Sequence, residues 1–165
     1  NNQTGAATDD DGTGAGVRVG YQQGPVNVAL TLSRGKYAAG DVRQDSLGGQ
    51  LNLNFATLTG YVNRERNGAV NGRGFLAGVL VPVGSHLLRA SYSGYKTDAV
   101  TRTTNNPQSR KLAIGYVHNL SKRTSLYTTV TRVRNKGGAA SAVNGATTAA
   151  NQPATGFDLG VRHNF

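Results

Sequence analysis

Apolar and polar residues alternate one by one along much of this chain. The pattern is plainest at 155–165. There Phe157, Leu159, Val161, His163 and Phe165 fall on one face of an extended strand, and Gly156, Asp158, Gly160, Arg162 and Asn164 on the other. One face suits an apolar surrounding and the other suits water. About 9–11 residues is also what a tilted strand needs to cross a bilayer.

The same period recurs upstream. Val17, Val19 and Tyr21 oppose Arg18 and Gly20. Val26, Val28, Leu30 and Leu32 oppose Asn27, Ala29, Thr31 and Ser33. Leu47, Gly49, Leu51, Leu53 and Phe55 oppose Gly48, Gln50, Asn52 and Asn54. Residues 57–64, 75–81, 88–93, 112–116 and 125–133 complete nine candidate strands. Both faces are mixed at 57–66 and 124–134, so facing stays open there. No stretch carries a helical stripe.

The connections alternate in length. Short ones are expected at 24–25, 55–57, 82–85 and 119–123, and long polar ones at 38–46, 67–72, 97–110 and 135–154. The last, rich in Ala, Gly, Asn and Thr, reads as a mobile loop. Tyr21, Phe55, Tyr116, Tyr127 and Phe165 sit by short turns or the terminus, with His86, His118 and His163. Tyr37, Phe75, Tyr95 and Phe157 lie near the long loops. Two aromatic bands, with short turns beyond one and long loops beyond the other, predict an all-β outer-membrane barrel. Tyr21, Phe55, Tyr116, Tyr127 and Phe157 are then candidate interfacial aromatics. The competing arrangement is a soluble antiparallel sandwich with scattered aromatics.

Nine antiparallel strands cannot close on themselves without one parallel pair, and bacterial single-chain barrels use even numbers. Residues 1–165 are therefore expected to be one portion of a single barrel, lacking an odd number of strands on the N-terminal side.

Composition changes this picture little. Mean hydropathy is −0.40, but a strand with one wet face averages to polar. The longest apolar run, 75–83, is too short for a spanning helix and contains Pro82. There is no cysteine, hence no disulfide and no thiolate metal site. The first residues lack the basic start and apolar core of a signal peptide.

Charge changes it more. The 18 Lys and Arg exceed the 8 Asp and Glu, for a formal +10. Such an excess suits an anionic partner: nucleic acid, anionic lipid or anionic solutes. Arg18, Arg89 and Arg162 each oppose an apolar face, so each is expected to line a water-filled interior. There a permanently charged guanidinium favours anions. Alternatively these arginines pair with wall acids such as Asp158 and only stiffen the barrel. Arg64 and Arg66 lie nearer a loop, and Lys122 and Arg123 lie in a short turn.

A nucleic-acid surface would interleave aromatics with Lys and Arg on one face. Here Tyr21, Tyr92 and Phe157 share faces with Val and Leu, opposite the arginines. No hydrolase constellation, H-E-x-x-H, EF-hand or P-loop appears, so no enzyme, cofactor or metal centre is expected. Asp9, Asp10 and Asp11 could draw Ca²⁺, but three adjacent acids without a Gly/Glu loop pattern favour a solvated acidic loop.

Three segments carry a resemblance. Asn119-Leu120-Ser121-Lys122-Arg123-Thr124-Ser125-Leu126-Tyr127 resembles the L-S-K-R-T-x-L-Y signature of Gram-negative trimeric porins. Leu112–Tyr116 is similar to the strand before it, and Gly160–Phe165 to the closing G-x-R-H-x-F. The likeness is strongest to the beta-proteobacterial branch, the anion-selective porins of the Comamonas/Delftia type. It implies a sixteen-stranded antiparallel transmembrane β-barrel of which this chain supplies the C-terminal nine, seven strands and the constriction loop being absent. It also implies an outer-membrane diffusion channel for small hydrophilic solutes, selective for anions. The implied partners are a homotrimer, the missing N-terminal part, outer-membrane lipid and lipopolysaccharide, and small anions. Phe165 would be part of an assembly signal. A structural or adhesive barrel is the alternative.

Overall fold

The computed structural model describes residues 12–37, 40–99 and 106–165, so Asp9 to Asp11 lie outside the described residues. Its regular elements are nine strands: β1 (Gly14–Gln23), β2 (Val26–Gly35), β3 (Val42–Asn52), β4 (Thr57–Asn67), β5 (Val70–Val83), β6 (His86–Ala99), β7 (Gln108–Asn119), β8 (Thr124–Lys136) and β9 (Ala154–His163). They form one sheet in sequence order, every neighbouring pair antiparallel. Among the described residues β1 and β9 do not touch, so the sheet is an open wall with two free edges.

Cross-strand register fixes the two faces. One row runs Val19, Leu30, Leu47, Val62, Phe75. Another runs Val79, Ala90, Ile114, Val130, Phe157. The opposite face carries Arg18, Thr31, Ser46, Asn63 and Gly74. Burial is inverted relative to a water-soluble protein. Ile114 is 58% exposed and Leu159 70%, while Val133, Ala56 and Ala139 are the only buried hydrophobics among the described residues. An apolar face this large and continuous needs an apolar surrounding.

Register settles the two mixed strands. Leu58, Gly60, Val62, Arg64 and Arg66 of β4 share the apolar face, as do Leu126, Val130, Arg132 and Arg134 of β8. Tyr127 is a correction. It pairs with Val117 and Gly160 on the polar face, so it cannot join the outer aromatic band. Adjacent residues on a strand point oppositely, and Leu126 holds the outer position. Tyr95 likewise belongs to the polar face, where its hydroxyl donates to Glu65.

The boundaries differ from expectation in one direction. β3 begins at Val42, β7 at Gln108, and β8 runs to Lys136, all inside segments expected to be loop. The expected long connection at 67–72 is a two-residue turn through Gly68, whose φ of +54° suits a tight hairpin. The strands overshoot the apolar band on this side. There both faces are polar, and alternation no longer marks a strand.

Facing can be tested on adjacent residues of β7. Ile114→Lys should destabilise the bilayer-inserted barrel by about 2–4 kcal/mol, and Ala113→Lys far less. Urea unfolding in lipid vesicles measures both; equal losses would contradict the assigned faces.

Candidate functional site: the polar wall

The polar face is the candidate site. Its charged strand residues are Arg18, Glu65, Arg89, Lys111, Asp158 and Arg162. All three sequence-predicted arginines lie on it, but far apart: Arg18 on edge strand β1, Arg89 near the start of β6, Arg162 near the end of β9. Among the described residues none of the three forms an ion pair. The Arg89 guanidinium instead donates to Thr129 Oγ1 at 2.9 Å, reaching across β7.

That reach depends on a glycine. Gly115 is the cross-strand partner of Arg89, and a Cβ there would stand 2.5 Å from Arg89 Nε. Tyrosines use the same device. Tyr61 lies across its partner Gly48, where a Cβ would be 3.2 Å from the ring, and Tyr127 lies across Gly160. Large side chains thus lie flat along the wall and leave the space above it open.

Two features escaped the sequence reading. Lys111 shares the polar face with Ala113 and Gly115, which the alternation of Leu112, Ile114 and Tyr116 already implied. The connection 137–153 is the second. Expected as a mobile loop, it is pinned to the polar face instead. Buried Asn135 donates from Nδ2 to the carbonyls of Ser141 and Gln152, each at 2.8 Å, and accepts from Ser109 at 2.7 Å. Val143 then sits over Gly156, filling the space a side chain there would need. Ala/Gly/Asn/Thr composition is common to mobile loops and to tightly folded ones, so it carried no signal of this.

The candidate interfacial aromatics divide. Tyr21 and Tyr116 lie on the apolar face at the short-turn end, and Phe55 is exposed in the connection after β3. Tyr116 stacks on His86, its hydroxyl 2.6 Å from His86 Nδ1. Phe157 is on the apolar face, 70% exposed, nearer the long-loop end of β9. Phe165 is fully exposed, its ring T-shaped against that of His163. Arg64 and Arg66 lie on the outer face.

The wall's architecture can be set against known proteins. Residues 1–138 match the profile of the Gram-negative porin family. The chain belongs to the Gram-negative porin family. It is 30% identical to outer membrane porin protein 32 of Delftia acidovorans, over 99% of this chain and 49% of that protein. It is similar in structure to an anion-selective porin from Comamonas acidovorans: TM-score 0.81, 28% identity, 92% of this chain and 49% of the other. OmpT of Vibrio cholerae shares the fold at a TM-score of 0.68 and 15% identity, over 91% of this chain and 55% of that one. The chain spans about half the length of the relatives it matches. As a porin it is a protein of the bacterial outer membrane, and its apolar face is the lipid-facing one.

The Arg89–Thr129 bond is testable. Thr129→Val should lower stability by about 1 kcal/mol, and by much less in an Arg89→Gln background. Urea titration of the four variants gives the coupling; additive losses would mean the bond is not made in the membrane.

Proposed function

We propose that this chain forms part of the wall of a water-filled diffusion channel that passes small hydrophilic solutes and favours anions. One observation carries the reading. The polar face bears four strand cations, Arg18, Arg89, Lys111 and Arg162, against two acids, Glu65 and Asp158, and none of the four is in an ion pair among the described residues. Unneutralised cations beside water attract anions and repel cations. Similarity to a porin described as anion-selective supports the same reading. The mechanism requires no reaction, only brief pairing of a passing anion with guanidinium or ammonium groups. The loop at 137–153, held over the polar face, narrows the mouth on its side.

The free edges of β1 and β9 expose unpaired backbone groups, which lipid cannot satisfy. In this reading further strands, an odd number of them, close the barrel. The closed barrel is a homotrimer subunit; one similar porin, OmpT, is described in a trimer form.

Reversal potentials of the complete assembly under a KCl gradient test the reading. An anion preference is expected, weakening as salt shortens the screening length to about 8–10 Å and below. Gln at positions 18, 89, 111 and 162 should reduce it. Cation preference would refute the selectivity, and absence of conductance would leave a structural or adhesive barrel. Deleting Phe165 should lower the yield of folded protein while leaving single-channel conductance unchanged. Undiminished yield would remove it as an assembly element.

A further inference from the structure

Polar rings interrupt the apolar face at its short-turn edge. Register sets Val83, His86, His118, Leu126 and Val161 side by side in one row across β5 to β9. The two histidines are 32 residues apart in sequence, so no metal-binding spacing marks them. Pairing of β6 with β7 makes them direct cross-strand partners, on the same face and at the same depth. Their ring centroids lie 4.7 Å apart and the planes 21° from parallel, with the two Nδ1 atoms 3.0 Å from each other. Tyr116, one row further into the apolar band, brings its hydroxyl to 2.6 Å from the same His86 Nδ1. His86 and His118 are half-buried and Tyr116 is 38% exposed, so water and ions reach them from the turn side.

Three ligating atoms thus converge on one point, and a proton cannot serve all three. An imidazole nitrogen offers in its ring plane either one N–H or one lone pair. His86 Nδ1 faces two partners with a single such position. Whichever bond it makes well, the other is left bent or shared. His163, the third histidine of this rim, shows the ordinary arrangement and pairs its Nδ1 with the Thr124 hydroxyl at 2.9 Å. A cation with several coordination positions resolves the conflict, because each atom then turns its own lone pair toward it. Among the described residues no group of three or more His, Cys, Asp and Glu comes together to hold a metal. The chain therefore supplies two nitrogens and a phenol oxygen, and water completes the set.

We propose that His86 and His118, with Tyr116 beside them, bind a cupric ion at the short-turn rim of the barrel. Geometry selects the ion. At metal–nitrogen bonds of about 2.0–2.1 Å, nitrogens 3.0 Å apart subtend about 95° at the metal. That is the cis angle of a tetragonal site of nitrogen and oxygen ligands, the geometry of Cu²⁺. A tetrahedral Zn²⁺ site would hold the two nitrogens about 3.3 Å apart. The Tyr116 hydroxyl takes the weaker oxygen position. Bound there, the ion ties β6 to β7 where both leave the apolar band. Short turns of such barrels face the periplasm, so the ion comes from that compartment. The site is on the lipid-facing side, and nothing in it depends on whether the channel prefers anions.

The test uses the complete, untagged porin in detergent, stripped of metal by a chelator and titrated with CuCl₂. Calorimetry counts the bound ions, and electron paramagnetic resonance reads their ligands. The unaltered protein should bind one more Cu²⁺ per chain than His86→Gln or His118→Gln, with a tetragonal spectrum split by two nitrogens. His163→Gln should leave that equivalent in place. Tyr116→Phe should weaken it about tenfold and keep both nitrogens. Zn²⁺ should bind the same pair more weakly. Cu²⁺ should raise the urea midpoint of the unaltered protein and not that of His86→Gln, since only the folded ladder brings the nitrogens together. An equal count in the unaltered protein and either histidine variant, or loss of the equivalent in His163→Gln, would overturn the proposal. So would a spectrum showing one nitrogen. Heat-modified mobility on gels confirms that each variant is folded. Conductance of the same preparations reports separately on the channel.

Discussion

Everything in this protein depends on one constraint: inside a bilayer, every backbone N–H and C=O must find a partner in the protein, because the surrounding lipid offers none. Nine strands in unbroken sequence order, each pairing only with its neighbours, meet that demand along the whole sheet except at its two outer edges. The ladder leaves side chains free to satisfy two different solvents, and period-2 alternation divides them between the two. This explains the inverted burial. Leu159 and Val161 are exposed, and the buried hydrophobics among the described residues are only Ala56, Val133 and Ala139.

The constraint also governs where large groups can lie. On a packed interior surface, Arg89 and Tyr127 would seek pockets. On a one-layer wall they have none, so each lies across a glycine of the adjoining strand. Asn135 does the same for an entire loop, converting residues 137–153 from a free connection into a cover held by side-chain amide bonds. How closely side chains and the 137–153 connection lie against this wall is therefore set by a few glycines and one asparagine.

What the sequence made legible follows the same division. Wherever lipid lies on one side and water on the other, alternation is enforced, and strands such as 26–33 and 47–53 were readable residue by residue. Beyond the apolar band water lies on both sides, alternation lapses, and the strand ends at Val42, Gln108 and Lys136 carry a loop-like sequence. Outward-facing Arg64 and Arg66 of β4 fall in that same zone. Arg64 and Arg66 could be located but not given a face until their partners Arg73 and Arg43 were known. Arg18, Arg89 and Arg162 were readable because each stands between apolar neighbours. Lys111 could have been found by the same logic. The turn at Gly68 was missed because a Gly/Asn-rich stretch suits a two-residue hairpin as well as a longer loop.

One face of this sheet meets lipid and the other meets water. The chain has no cysteine, so single substitutions can be labelled cleanly. The most direct measurement is to replace residues 111–114, 116 and 117 of β7 by cysteine, one at a time, in the complete porin. Each is then reacted with a membrane-impermeant thiol reagent in lipid vesicles. Residues 111, 113 and 117 should react and residues 112, 114 and 116 should be protected. Reaction of residue 114 as fast as residue 113 would contradict the account.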